Sequence, residues 1–188
     1  MAVVLVGVAL TFGVIDYFCV DLFNGIVIPV TAPFHYAHII SWLHRQNYPT
    51  DSDVLMYFPK TIPDHASNTR MFLQQLPGDM DFELRCTLPA DEVMALVKRV
   101  APVAMASGHS GDEMWAATSS HPELMNPEVF DLADGPGRQN ALPPGWMIYI
   151  TNVGNSKLEP KFEEFYESGI AVNAATNDVI YWLRAHAQ

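Results

Sequence analysis

The sequence predicts an α+β fold: a single mainly antiparallel sheet of about five to six strands with a helix packed on one face, preceded by an N-terminal apolar helix read as transmembrane. Three observations predict it. Met80–Thr87 (M-D-F-E-L-R-C-T) alternates apolar and polar residues without a break, the period of a strand with one buried face. Val93, Leu96, Val97 and Val100 recur at helical spacing and form a stripe suited to cover that face. Met1–Ile15 carries no charged residue.

The chain has 188 residues, of which 49% are hydrophobic, enough for one domain with its own core and against intrinsic disorder. Asp and Glu number 21 against 10 Lys and Arg, a formal net charge of −11. Such a chain repels phosphate backbones, which excludes nucleic acid as a natural partner and leaves a basic protein as the partner its charge would suit. Cys19 and Cys86 both lie in apolar settings and read as small buried hydrophobes, not a disulfide framework or a metal site. No motif for a cofactor is present, and none is expected.

Residues 1–23 are read as the anchor. Asp16 interrupts the apolar run, Tyr17–Val20 resumes it and Asp21 ends it. Twenty helical residues span about 30 Å, one hydrocarbon core, so the lipid bilayer is the expected partner of residues 1–20. A cleaved signal peptide fits less well, because no Lys or Arg occurs before Arg45 and no small-residue cleavage site is evident. Asp16-Tyr17-Phe18 ahead of Cys19 is not a lipidation box. The expected location is thus a single-pass membrane protein with its domain on the extracytoplasmic side.

Residues 24–52 are read as linker and amphipathic helix. Asn24–Val30 is a turn followed by a short extended segment that Pro29 limits to an edge. Thr31 is the expected N-cap of a helix with Pro33 in its first turn, running over Phe34–Gln46. His35 and His38 stand at i, i+3 on it, but no Glu or Cys joins them in a zinc-binding spacing, so no metal is assigned there.

Residues 53–188 are read as the α+β domain. Val54–Phe58 is expected as a short strand, and Phe58–Pro63 (F-P-K-T-I-P) as an edge-running extended segment. Thr69–Gln75 is the next strand, turned by Leu76-Pro77-Gly78-Asp79 into the alternating strand to make a hairpin. The following helix has Thr87 or Leu88 as cap, Pro89, Asp91 and Glu92 at its start, and Lys98 and Arg99 near its end, all in accord with the helix dipole. It should lie over Phe82 and Leu84, with Asp81, Glu83 and Arg85 facing solvent or a partner.

Met105–Pro144 is rich in Gly, Ser, Pro and acids and is expected as a long loop, the default place for a binding surface with Trp115 and His121 as contacts. Gly108-His109-Ser110-Gly111 lacks the glycine spacing of a nucleophile elbow, so Ser110 and His109 read as a turn rather than a hydrolase site. Asp112, Glu113, Glu123, Glu128, Asp131 and Asp134 form no calcium-loop motif and read as a solvated acidic face. Trp146–Val153 is a strand, Gly154–Pro160 a turn, and Lys161–Tyr166 one helical turn. Ser168–Val172 and Asp178–Leu183 form a hairpin that completes the domain, with Tyr181 and Trp182 on opposite faces, one packed inward and the other partly exposed or at an interface.

Several of these stretches resemble a loose group of small bacterial membrane-anchored or exported proteins. The likeness rests on Phe58–Pro63, on N-T-R-M-F at Asn68–Phe72, on F-E-L-R-C-T-L-P at Phe82–Pro89 and on A-D-E-V at Ala90–Val93. Gly169–Val172 and Asp178–Trp182 are similar to the group's later Y-G-I-A-I and E-I-I-Y-W strands. Phe72–Gly78 departs from the F-L-Q-G-G turn usual there. The resemblance implies the architecture and an anchored location; it brings no catalytic residues.

No catalytic, cofactor-binding or metal-ligating residue is therefore assigned from sequence. The expected function is a membrane-tethered extracytoplasmic binding or accessory domain without catalysis. The alternatives are an immunity or inhibitor protein that masks a basic toxin or enzyme, and a hydrolase or metal-dependent enzyme built on Ser110 or on His35 and His38.

Overall fold

A computed structural model describes residues 33–44, 55–76, 79–110, 130–132, 142–159 and 162–187. The anchor at 1–23, Cys19, the segment 24–30, Thr31, Pro77-Gly78, Trp115, His121 and most of the acidic stretch lie outside the described residues. Among the described residues, no helix is long and apolar enough to cross a membrane.

Six antiparallel strands form one sheet: β1 (Ser67–Leu76), β2 (Asp79–Thr87), β3 (Ala106–His109), β4 (Trp146–Glu159), β5 (Phe162–Asn173) and β6 (Asp178–Ala187). Their order across the sheet is β1-β2-β6-β5-β4-β3. Helix α1 (Tyr36–Leu43) follows one 3-10 turn at Pro33–His35, and α2 (Ala90–Val100) connects β2 to β3. The sequence expectation of an α+β antiparallel sheet thus holds, and the α2 boundaries agree with its apolar spacing.

Both helices pack on one face of the sheet. Tyr36, Ile39, Ile40 and Leu43 of α1 and Val93, Leu96 and Val100 of α2 share a core with Met71, Met80, Phe82, Leu84, Cys86, Val179, Tyr181 and Leu183. Phe82 stacks at 5.4 Å on Phe58 and at 6.1 Å on Tyr36, and the Tyr36 hydroxyl donates to the Pro59 carbonyl at 2.6 Å. The prolines of 58–63 therefore hold an acceptor in place for a buried phenol.

The opposite face carries a second core, made by Phe130, Leu142, Trp146, Ile148, Ile150, Ala171, Ile180 and Trp182. This corrects the expectation that the polar side of β2 faces solvent. It also corrects the expectation for Tyr181 and Trp182: they do point to opposite faces, but both are buried, because both faces are covered.

Four local expectations fail. Residues 55–58 make a turn closed by the Phe58 N–H donating to the Leu55 carbonyl at 3.0 Å, where a strand was expected; Tyr57 and Phe58 are needed in the core, and a turn delivers both. Ala106–His109, read as part of the long loop, is the edge strand β3 paired with Met147–Ile150. The turn at 154–160 and the helical turn at 161–166 are instead the far ends of β4 and β5, paired down to Glu159 and Phe162. Local polarity misled there, since ladder bonds form whatever the side chains. The β5–β6 loop is four residues, Ala174–Asn177, because Asn173 and Asp178 still pair. Asn177 closes it with φ 59°, a left-handed geometry Asn tolerates.

Gly169 sets the centre of the second face. A Cβ there would run into the Tyr149 carbonyl oxygen and lie 2.8 Å from the Trp182 ring. The missing side chain is the space into which the Trp182 indole lies.

Candidate functional site

The polar residues of the second face are organised by strand register. Asp81 of β2 sits opposite Arg184 of β6, and Arg184 sits opposite Glu167 of β5, so one cation lies between two acids in a row across three strands. In the next row, Glu83 is opposite Trp182, and Trp182 is opposite Gly169. The period of two along β2 brings Glu83 to the same face as Asp81.

The result is a buried carboxylate–guanidinium cluster. Glu83, Glu167 and Arg184 are 1%, 0% and 5% exposed. Arg184 approaches Asp81 at 3.5 Å, Glu83 at 3.7 Å and Glu167 at 3.9 Å, distances of ion pairs and longer than a normal hydrogen bond. Its guanidinium also lies 4.9 Å from the Phe130 ring centre and 5.4 Å from that of Trp182, so aromatic faces supply the rest of its environment.

Phe130–Leu132 forms a strap over this cluster. Asp131 N–H donates to Glu83 Oε1 at 3.0 Å and Leu132 N–H donates to Glu83 Oε2 at 2.9 Å. The Leu132 carbonyl accepts from Arg85 at 2.8 Å and from Arg70 at 3.2 Å. Arg85 is itself held by Asp178 at 2.9 Å and lies 5.3 Å from the Trp146 ring centre. The strap is thus latched through both the N–H and the C=O of Leu132 by side chains from β1 and β2.

One guanidinium faces two dry carboxylates, Glu83 and Glu167, and a third, Asp81, that keeps part of its surface in water. Burial pushes the Glu83 carboxyl up to about 7, against the opposing pull of Arg184 and of the two strap amides. Burial likewise pushes Glu167 up to about 7; Arg184 lowers it and Asp81 raises it. Both oxygens of Glu167 lack a hydrogen-bond partner, as does the Trp182 indole N–H.

The residues weighed from sequence fall elsewhere. His38 is exposed on α1, His35 is half-buried, and among the described residues no group of His, Cys, Asp and Glu has the geometry to hold a metal ion. Ser110 Oγ donates to the Pro143 carbonyl at 2.8 Å, which engages the hydroxyl in fixing the start of β4. Cys86 is fully buried, and burial pushes its thiol up to about 12, so it stays protonated. Asp81, Glu83 and Arg85, read as a wet face, are the residues that the structure gathers.

Two signals in the sequence pointed that way. Trp146–Ile150 is apolar on both faces, and Ile180 and Trp182 add bulk to the second face, so something had to cover it. Comparison with protein-family models, curated proteins and solved structures finds no match to the chain.

Proposed function

We propose that this protein is a membrane-tethered binding or accessory domain, held to a bilayer by residues 1–23 with its α+β body on the extracytoplasmic side. The observation that carries this reading is the uncharged run Met1–Ile15 placed ahead of a body rich in Asp and Glu. The body supplies support for contact with a partner. Its large exposed apolar side chains include Met94 on α2 and Val103 and Met105 in the turn that leaves it. Methionine is an adaptable contact residue, suited to a surface that meets another protein.

The test is fractionation of the full chain. It is expected in the membrane fraction, resistant to high-salt and alkaline washes and released by detergent, while a chain starting at residue 24 stays in the supernatant. Full-length protein that remains soluble without detergent refutes the tether.

The net charge of −11 favours one second reading, an immunity or inhibitor protein that masks a basic toxin or enzyme. That reading requires a complex that weakens steeply as salt rises; a salt-independent complex counts against it.

A further inference from the structure

We propose that the outer ridge of α2 is a self-complementary surface on which a second copy of this chain docks, the two α2 helices lying antiparallel across a two-fold axis. The proposal rests on the reading above that Met94, Val103 and Met105 meet another protein, and it names that protein. It is independent of the tether.

α2 has a flank on either side of its buried face, which Val93, Leu96 and Val100 turn into the core. One flank carries Glu92 and Arg99, and the segment before β1 covers it. His65 pairs with Glu92 at 2.8 Å, and the Arg99 guanidinium lies 5.7 Å from the Tyr57 ring centre. The other flank carries Ala90, Met94, Val97 and Ala101 at i, i+4, i+7 and i+11, and Ala101 keeps helical geometry. This flank is open: Ala90 and Ala101 are exposed, Val97 is half-buried and Met94 is 66% exposed. The chain leaves α2 through Val103 and Met105, 55% and 64% exposed, which continue the apolar surface.

The order of residues identifies the occupant. Along the ridge it runs small, large, large, small, and so reads alike from both ends. Turned end for end about an axis between Ala95 and Leu96, Ala90 meets Ala101 of the second copy and Met94 meets its Val97. The alanines let the two backbones approach, and the larger side chains fill the middle. The charges agree with this direction. Beside the ridge stand Asp91 in the first turn and Lys98 in the last, both exposed. The antiparallel arrangement brings each Asp91 toward the Lys98 of the other copy and sets the helix dipoles favourably; a parallel one sets like charges together. No Asp or Glu occurs between Glu92 and Asp112, so the net charge of −11 is not concentrated where the copies meet.

The size of the surface sets the strength. The helix spans about 16 Å, which with Val103 and Met105 gives an interface at the small end of the specific range. The expected dimer is reversible, with a Kd on the order of micromolar.

Sedimentation of the full chain, in the buffer or detergent that disperses it, tests this across a concentration series. Wild type is expected to pass from monomer to dimer. Asp91→Lys and Lys98→Asp, each at an exposed position and each checked for fold by circular dichroism, are expected to raise Kd by about tenfold, since each turns two attractive pairs into two repulsive ones. Mixed in equal amounts, with one of them fluorescently labelled, the two variants are expected to form a heterodimer with a Kd within about threefold of wild type. Met94→Ala is expected to weaken the dimer by about tenfold with the fold intact. A wild-type chain that stays monomeric overturns the proposal and leaves the ridge to a different protein. A dimer indifferent to these substitutions overturns it by placing the contact on another surface, the anchor included. Reversals that weaken the dimer without recovery in the mixture overturn the antiparallel pairing on which the proposal stands.

Discussion

Arg184 and Gly169 illustrate how much rests on single positions. Arg184 is the one cation among Asp81, Glu83 and Glu167 in the described cluster, and it is nearly dry. Removing one member of a buried ion cluster typically costs about 3–5 kcal/mol, because the partners left behind stay desolvated. Arg184→Ala is therefore expected to lower stability by that order at pH 8, and by less at pH 5.5, where the carboxyls accept protons. Urea unfolding at the two pH values checks it. Gly169→Ala asks for room that the Tyr149 carbonyl and the Trp182 ring occupy. Backbone cannot yield as a flexible side chain can, so the cost is expected at about 1–3 kcal/mol or more, read as a lowered melting temperature with weakened near-ultraviolet dichroism from Trp182.

Among elements, β2 and α2 divide the work. β2 is next to the sheet centre and feeds one core with Met80, Phe82, Leu84 and Cys86 while it contributes Asp81, Glu83 and Arg85 to the other side. α2 covers the first core through Val93, Leu96 and Val100 and exposes Met94. Leu96→Ala is expected to destabilise by about 2–5 kcal/mol, the usual range for a truncated buried leucine, whereas Met94→Ala is expected within about 0.5 kcal/mol of neutral. Denaturant midpoints of the two variants make the comparison. The His65–Glu92 pair at 2.8 Å ties α2 to the segment before β1, but both side chains are nearly half exposed, so its removal is expected to cost less than about 1 kcal/mol.

For the molecule as a whole, the two raised glutamates make stability depend on pH. Glu83 and Glu167 hold their protons in the fold up to about pH 7, while in the unfolded chain they release them near 4.5. The folded state binds more protons between those values, so the contribution is full below about 4.5 and is lost as pH rises through about 7. Each group changes stability by up to about 1.4 kcal/mol per pH unit in that window. Thermal melts at pH 5.5, 7 and 8.5 are expected to show a falling midpoint, and Glu167→Gln is expected to flatten the slope.

The sequence by itself determined the fold class, the β1–β2 hairpin, the span of α2 and the face of β2 that carries Phe82 and Leu84. Each follows from periodicity, from proline and glycine placement or from helix-end charges, all of which act over a few neighbouring residues. Only the tertiary structure decided that the other face is buried too. Asp81, Glu83, Glu167 and Arg184 lie on three strands far apart in sequence, and their meeting depends on the return of β6 to a place beside β2. Alternation along one strand reports that two faces differ; it carries no information about what a distant segment lays over either one. The strap at Phe130–Leu132 supplied that cover, turning a row of charges that reads as solvated into a largely buried cluster.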